Sequence, residues 1–340
     1  MNNEICLHHN DFRELVLFEP IKKGAEHLKI ISGYATHTMA SWHIKEIAEP
    51  LRKLSPIEIT LVIGMCSFDG ISKAVHEGFN SIVARNNTPH QSNLKCQYVT
   101  EGVPVHSKLY LWERDSKPFQ AFMGSANYTQ TAFSRSRREL LQECDPLQAL
   151  DYYCSIERDS IYCNHAEIED KINIKPTHPI LEAEDRQHGS VQGLNVESIT
   201  LSLLATRGSR KGETGWGSGI NWGHRRGGTK REPNQMYISL PVSDASTDFF
   251  PLSGNHSGKD NPHFSVLTDD GVHFVLRVEQ ENNKAITTPL NNSHIGEYFR
   301  RRIGVANGAF VEREDLENYG RTDVTFYKLD EEQFYMDFSV

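Results

Sequence analysis

The sequence predicts two domains of different class: a layered α/β domain built on a mixed sheet with flanking helices, then a mainly β domain. Three observations lead there. Strand-like and helical patterns alternate through roughly the first half, as stacked βα units require. A polar run at 175–192, holding Pro176, Pro179, Gly189 and several acids, reads as a linker. Beyond it, short strands recur with turns between them. A chain of 340 residues also exceeds what one core usually supports. The expected division is 1–174, a linker at 175–192, and 193–340.

Within the first domain, strands are expected at 28–35, 57–66, 95–100, 105–112, 119–124 and 139–143. Helical spacing fills 38–54, 70–84 and 146–157. The second domain is expected to hold strands at 198–204, 236–241, 264–267, 273–279 and 324–329. Asp269-Asp270-Gly271 marks a hairpin between two of these. Short helices are expected at 295–303 and around 312–319. The sequence contains no internal repeat.

Several function classes are set aside. No apolar run approaches the ~18 residues that span a bilayer, and the N-terminus lacks a signal-peptide profile, so a cytoplasmic protein is expected, away from membranes. The six cysteines (6, 66, 96, 144, 154, 163) show no C-x-x-C spacing and read as reduced, mostly buried small hydrophobes. The 16 histidines are scattered, His8-His9 being a surface pair. No metal-ligand spacing occurs, so neither metal nor other cofactor is expected. A G-x-x-x-x-G-K-[ST] loop is absent, which argues against an ATPase.

One constellation carries chemistry. His106-Ser107-Lys108 is followed by Gly124-Ser125-Ala126-Asn127. If 105–112 is a strand, alternation puts His106 and Lys108 on one face, about 7 Å apart. An imidazole there can attack phosphorus while the ammonium neutralises a non-bridging oxygen. The triplet alone is a weak signal. His27-Leu28-Lys29 and His43-Ile44-Lys45 also match it, and neither precedes a G-S-x-N. The ordinary reading of any such pair is a solvated surface; the conjunction at 106–127 is what lifts this one above it.

A net charge of −9 is awkward for a nucleic-acid-binding protein, but whole-chain charge says little about local fields. From 207 to 231 there are seven basic residues (Arg207, Arg210, Lys211, Arg225, Arg226, Lys230, Arg231) against one acid, Glu213. Glycines, Trp216, Asn221, Trp222 and His224 are interleaved. Such a segment makes a poor core element and a good phosphate-hugging loop.

The first pattern resembles the phospholipase D superfamily, in particular its nucleases, whose motif is H-x-K, four residues, D, six residues, G-S-x-N. His106, Lys108, Gly124, Ser125 and Asn127 match. Glu113 stands where the family has aspartate, and ten residues instead of six follow it; Glu113 is kept out of the site. The extra residues, Arg114-Asp115-Ser116-Lys117-Pro118, fit a longer hairpin. The resemblance implies a metal-free phosphohistidine mechanism. It implies a homodimer sharing one active site, because only one motif is credible here. Glu139 resembles the downstream glutamate that orients the histidine, with Glu143 as runner-up; both read otherwise as surface carboxylates. Ser125 would anchor the imidazole or a phosphate oxygen, and Asn127 a phosphate oxygen.

The second half resembles the B3-like pseudobarrel DNA-binding domain through 264–271, 295–305 and 323–328. A phospholipase D-like nuclease followed by a B3-like domain is the layout of a group of bacterial restriction endonucleases. Recognition arms clasping the major groove would be 207–231 and 284–294. Arg207, Arg210, Asn221, His224, Arg225, Arg226, Asn291, Asn292 and His294 are the expected base readers, with Lys211, Lys230, Arg231 and Lys284 also facing double-stranded DNA. Arg300, Arg301 and Arg302 would meet phosphates or form a solvated helix face. A separate ATP-dependent helicase-like subunit is a further expected partner for some nucleases of this layout. Two other classes stay open: a lipid phosphodiesterase, which would need an apolar entry surface, and a non-catalytic DNA-binding protein.

Overall fold

Runs apolar on both strand faces, such as Leu109-Tyr110-Leu111-Trp112, call for a sheet covered on both sides, and the first unit is built that way. The structure is a computed structural model that describes residues 7–8, 12–48, 56–85, 92–133, 138–175, 196–206, 208, 211–225, 227–228, 230–253 and 261–340. The chain divides into two compact units, Met1–Pro176 and Thr177–Val340. Of the expected linker, Lys175 ends a short strand and 176–192 falls outside the described residues.

Strands of the first unit are β1 (Leu7–His8), β2 (His27–Ser32), β3 (Glu58–Ile63), β4 (Ile71–Ser72), β5 (Asn93–Val99), β6 (Leu109–Arg114), β7 (Lys117–Gly124), β8 (Leu141–Cys144), β9 (Ser160–Tyr162) and β10 (Ile174–Lys175). Helices are α1 (Phe12–Leu17), α2 (Glu19–Lys22), α3 (His37–Ala48), α4 (Cys66–Asp69), α5 (Lys73–Val83), α6 (Gln130–Phe133), α7 (Pro146–Glu157) and α8 (Ile168–Lys171). Eight strands form a mixed sheet ordered β1-β8-β7-β6-β2-β3-β5-β9, with β2, β3 and β5 parallel and their outer neighbours antiparallel. In β6, Leu109 and Leu111 join the core under α7, with Ala149 and Tyr153. Tyr110 and Trp112 fill the other face, where the Trp112 indole donates to the Val16 carbonyl at 2.7 Å. Helix α7 starts where sequence logic puts it: Asp145 caps the amides of Leu147 and Gln148 at 3.0 and 2.9 Å, and Pro146 follows.

The residues that separate Glu113 from Gly124 do not make a long loop. They lengthen β6 and β7, which turn through Asp115 and Ser116 alone, both at positive φ. The register slips between Trp112 and Glu113, and Pro118 sits at that slip, where a missing amide is tolerated.

The second unit has strands β11 (Ser198–Ser202), β12 (Ile238–Ser239), β13 (His263–Thr268), β14 (His273–Glu279), β15 (Ala285–Thr287), β16 (Asp323–Lys328) and β17 (Gln333–Asp337), with α9 (Val242–Ala245), α10 (Ser293–Ile303) and α11 (Arg313–Tyr319). Their order, β11-β16-β17-β13-β14-β15-β12, brings the two end strands back together in a nearly closed barrel. Phe249, Phe250, Phe264, Phe326 and Phe334 pack its interior. Strands β15 and β17 have no counterpart in the sequence reading; β15 lies inside the stretch assigned to the second arm.

Candidate active site

Strand β6 begins later than the alternation suggests. Its last pair with β2 is Ile31 with Leu109, because β2 ends at Ser32. His106 and Lys108 therefore sit on an extended lead-in, not in the ladder. Val105 anchors that lead-in by donating its amide to the Gly64 carbonyl at 3.0 Å. His106 emerges exposed at the sheet's end while Lys108 is 6% exposed. They still converge: Lys108 Nζ lies 3.0 Å from His106 Nδ1 and 2.6 Å from its carbonyl oxygen. Burial pushes the Lys108 ammonium pKa down, and the nearby Glu139 charge opposes that shift.

Strand β7 ends at Gly124 on the same edge. A Cβ there would meet the Leu140 carbonyl at 2.1 Å, so the close approach of the two chain segments demands glycine. That approach lets Ser125 donate its amide to the Leu140 carbonyl (2.9 Å) and accept the Leu140 amide on its hydroxyl (3.0 Å). The same hydroxyl donates to Glu139. Glu139 precedes β8 and does not open it. Among the described residues it reaches Ser125, not the His106 ring that the sequence reading gave it. Glu143, the runner-up, lies in β8 and accepts from Gln120 Nε2 at 2.9 Å, away from the cluster. Asn127 Oδ1 accepts from the Tyr34 amide (3.1 Å) and the Ser32 hydroxyl (3.4 Å). That fixes its flip and turns its NH2 group outward as a donor.

The edge thus gathers an imidazole, a cation, an amide donor and a carboxylate. The other His-x-Lys pairs are structural. His27 and Lys29 lie on β2 and are held by Glu113 at 3.1 and 2.9 Å, with the Thr60 hydroxyl 2.9 Å from His27 Nε2. His43 is buried on α3 and pairs with the Tyr128 hydroxyl at 2.8 Å; burial pushes its pKa down to about 3. Glu113 belongs to the first of these clusters, outside the site. The sequence reading missed Tyr34, whose ring packs against His106. A glycine-aromatic step, Gly33-Tyr34, directly after a parallel strand was the available signal, since open α/β sheets work at the carboxyl ends of their strands.

In the second unit the described part of the first arm is ordered by aromatic contacts. Trp216 stacks on Phe310 at 4.4 Å, His224 meets both rings edge-on, and Arg231 lies 4.3 Å over Trp222. Lys211, Arg225, Lys230, Lys284 and Asn291 are exposed; His224, Arg231, Asn292 and His294 are half-buried. His294 lines a cavity of about 540 Å³ with Phe274, Glu297, Tyr298 and Arg301. Arg207, Arg210 and Arg226 fall outside the described residues.

Three expectations in this unit need correction. Asn221 is fully buried and exchanges two hydrogen bonds with the Val311 backbone, at 2.8 and 2.9 Å, so its amide is committed to the fold and not to a base. Arg300 is fully buried and donates to the carbonyls of Ala309, Gly296, Ile220 and Pro233. Arg302 is bound by Asp269, Tyr298 and Tyr319. Only Arg301 of the three projects outward, its side chain 66% exposed.

Family models match in two stretches: the NgoFVII restriction endonuclease N-terminal PLD domain over residues 10–170, and the NgoFVII C-terminal B3-like DNA-binding domain over 191–330. The chain belongs to this phospholipase D-type restriction endonuclease family. Both family domains are present, in that order. No curated protein matches the chain. Among solved structures it is similar to NucT from Helicobacter pylori, with 18% identity over 47% of this chain and 98% of that one, at a TM-score of 0.32. It is also similar to Nuc, a phospholipase D family member from Salmonella typhimurium, with 14% identity over 46% and 96%, at a TM-score of 0.34. Among the described residues no helix is long and apolar enough to cross a membrane, and no three His, Cys, Asp or Glu side chains gather as a metal site would require.

Proposed function

We propose that this chain is an endodeoxyribonuclease that cuts duplex DNA through a covalent phosphohistidine, directed to its sites by the second domain. The observation that carries the reading is the convergence of His106, Lys108, Asn127 and the Ser125–Glu139 pair on one edge of the sheet. In this mechanism the His106 imidazole attacks phosphorus and one P–O ester bond breaks. Lys108 and the Asn127 amide hold the non-bridging oxygens as charge builds on them. The leaving oxygen takes a proton from His106 of a second copy, and water then displaces the imidazole from phosphorus, restoring the enzyme. Glu139 acts through Ser125 and by its charge on Lys108.

One copy supplies one such histidine, so the reaction calls for a two-fold dimer around one phosphate. Exposed apolar side chains beside the site, Met123 on β7 and Leu140 before β8, with Leu147 and Tyr152 on α7, are the kind of surface that a second copy covers. Arg225, Lys230, Lys211 and Lys284 are the phosphate-facing candidates of the second domain, with Asn291, Asn292, His224, His294 and Arg231 nearer the groove. The enzyme acts in the cytoplasm, alone or with an ATP-hydrolysing subunit.

The test is plasmid cleavage in excess EDTA by the wild type and His106→Ala. Discrete fragments from the wild type alone support the reading. Cleavage that vanishes with EDTA overturns the phosphohistidine route. Site-specific binding without cleavage, with or without added metal, points to a missing partner or to a pure DNA-binding role.

A further inference from the structure

His106 is exposed, yet a nucleophile must meet phosphorus along one line. What holds its ring is therefore a real question. Lys108 sits on its nitrogens, but an ammonium that also faces the phosphate is a poor splint. The firmer contact comes from the loop after β2. The Tyr34 and His106 rings meet edge-on, centroids 5.6 Å apart at 77°. Gly33 lets that loop pass close by, since a Cβ there would lie 3.1 Å from His106 Cδ2.

Tyr34 is itself pinned at both ends. Its amide donates to Asn127 Oδ1 at 3.1 Å, and its hydroxyl donates to Asp69 Oδ2 at 2.5 Å. Asp69 closes α4, which follows β3, and is fixed by its amide on the Met65 carbonyl at 2.8 Å. The loops after two parallel strands thus meet through one phenol over the imidazole.

We propose that Tyr34, held by Asp69, is a positioning residue that sets the His106 ring in its attacking orientation. The proposal rests on His106 being the nucleophile. Tyr34 remains 42% exposed, so its ring needs an anchor of its own, and the carboxylate supplies one. The hydrogen bond to Asp69 also holds the phenol's pKa above its ordinary value, keeping it a donor to Asp69 throughout the neutral range. The linkage joins the ring that orients the nucleophile to the asparagine amide that would orient the phosphate, so one loop sets both.

The experiment compares Tyr34→Ala, Tyr34→Phe and Asp69→Asn in the full chain, by cleavage kinetics and by NMR of the His106 ring protons. The expected result is a kcat lowered about 10- to 100-fold in Tyr34→Ala, with KM within about twofold, and recovery of part of the loss in Tyr34→Phe, which keeps the ring but not its anchor. Asp69→Asn, whose amide oxygen can still accept from the phenol, should lose no more than Tyr34→Phe. In the free protein, the ring-current displacement of the His106 protons should persist in Tyr34→Phe and collapse in Tyr34→Ala. A Tyr34→Ala enzyme with an unchanged kcat and unchanged His106 shifts overturns the proposal. So does a rise in KM alone, which would make Tyr34 a DNA contact, or an equal loss in Ala and Phe, which would give the role to the hydroxyl. If the wild type neither cuts nor binds DNA, the nuclease reading fails, and if His106→Ala still cuts, the His106 nucleophile fails; in either case the NMR comparison still reports whether Tyr34 orients the ring.

Discussion

Two His-x-Lys triplets in neighbouring strands of one sheet have opposite fates. Residues 27–29 lie within β2, and 106–108 lie just before β6, which pairs with it. In the first, the ladder continues on both sides and brings Glu113 to both His27 and Lys29, with Glu58 3.5 Å from His27 Nε2. Every charge is answered, so the pair is a strut. In the second, β2 has ended: among the described residues no carboxylate bonds to either side chain, His106 is exposed, and the buried Lys108 turns its ammonium to it beside Asn127. The difference teaches that the same triplet is tied into the fold where strands pair and left open to a ligand where pairing stops.

That contrast is broken most directly by paired substitutions. His106→Ala should lower cleavage at least about 10³-fold with DNA binding and thermal midpoint retained. His27→Ala should leave cleavage within about twofold. Rates measured on one plasmid decide it; a comparable loss from His27→Ala would mean that the buried cluster takes part in the reaction.

The third triplet sharpens the same contrast through pH. Burial depresses the folded-state pKa of His43 to about 3, below its unfolded value near 6.5. Its contribution to stability is therefore complete above pH 6.5 and drains away as pH falls toward 3, because the unfolded chain takes up the proton first. The loss from this group between pH 7 and pH 4 should be on the order of 3 kcal/mol. Urea unfolding of the wild type and His43→Gln at both pH values measures it; an unchanged pH slope in the variant assigns the acid sensitivity elsewhere. Burial lowers the His27 pKa in the same direction, so some slope persists in His43→Gln. A smaller effect is expected at Glu113. Glu113→Gln should cost about 2 kcal/mol in urea unfolding at pH 7, by leaving Lys29 short of its counter-charge, with cleavage intact. Loss of cleavage without loss of stability would bring Glu113 into the site.

Much of this was legible in the sequence, and the reasons for the exceptions are physical. The α/β-then-β order follows from periodicity, and α7 from its cap and proline. The candidate cluster follows from spacing along two strands that a tight hairpin joins. What periodicity does not carry is where pairing ends. Alternation carries the strand back to 105, although its pairing with β2 stops at Leu109. For the same reason Glu139 was given to His106, when the glycine-forced approach of Gly124 to Leu140 hands its carboxylate to Ser125. Tyr34 had no motif to announce it, because its role comes from two loops meeting in space. By residue type Asn221 reads as a base reader and Arg300 as a phosphate contact or part of a solvated helix face, and burial reassigns both.

The last test carries the lesson into the second domain. Arg225 and Lys230 are exposed on the arm, whereas Asn221, in the same stretch, is sealed beneath it. If surroundings decide role, Arg225→Ala and Lys230→Ala should each weaken binding to specific and unrelated duplexes alike and reduce the slope of log K against log salt by about 1. Asn221→Ala should leave that slope unchanged and lower the melting temperature instead, since Val311 loses both of its partners. Gel-shift titrations over a range of salt, with a melting curve for each variant, separate the two behaviours. An Asn221→Ala protein that melts like the wild type but loses discrimination between sequences would return Asn221 to the reading surface. It would also show that the arm opens on DNA to release it.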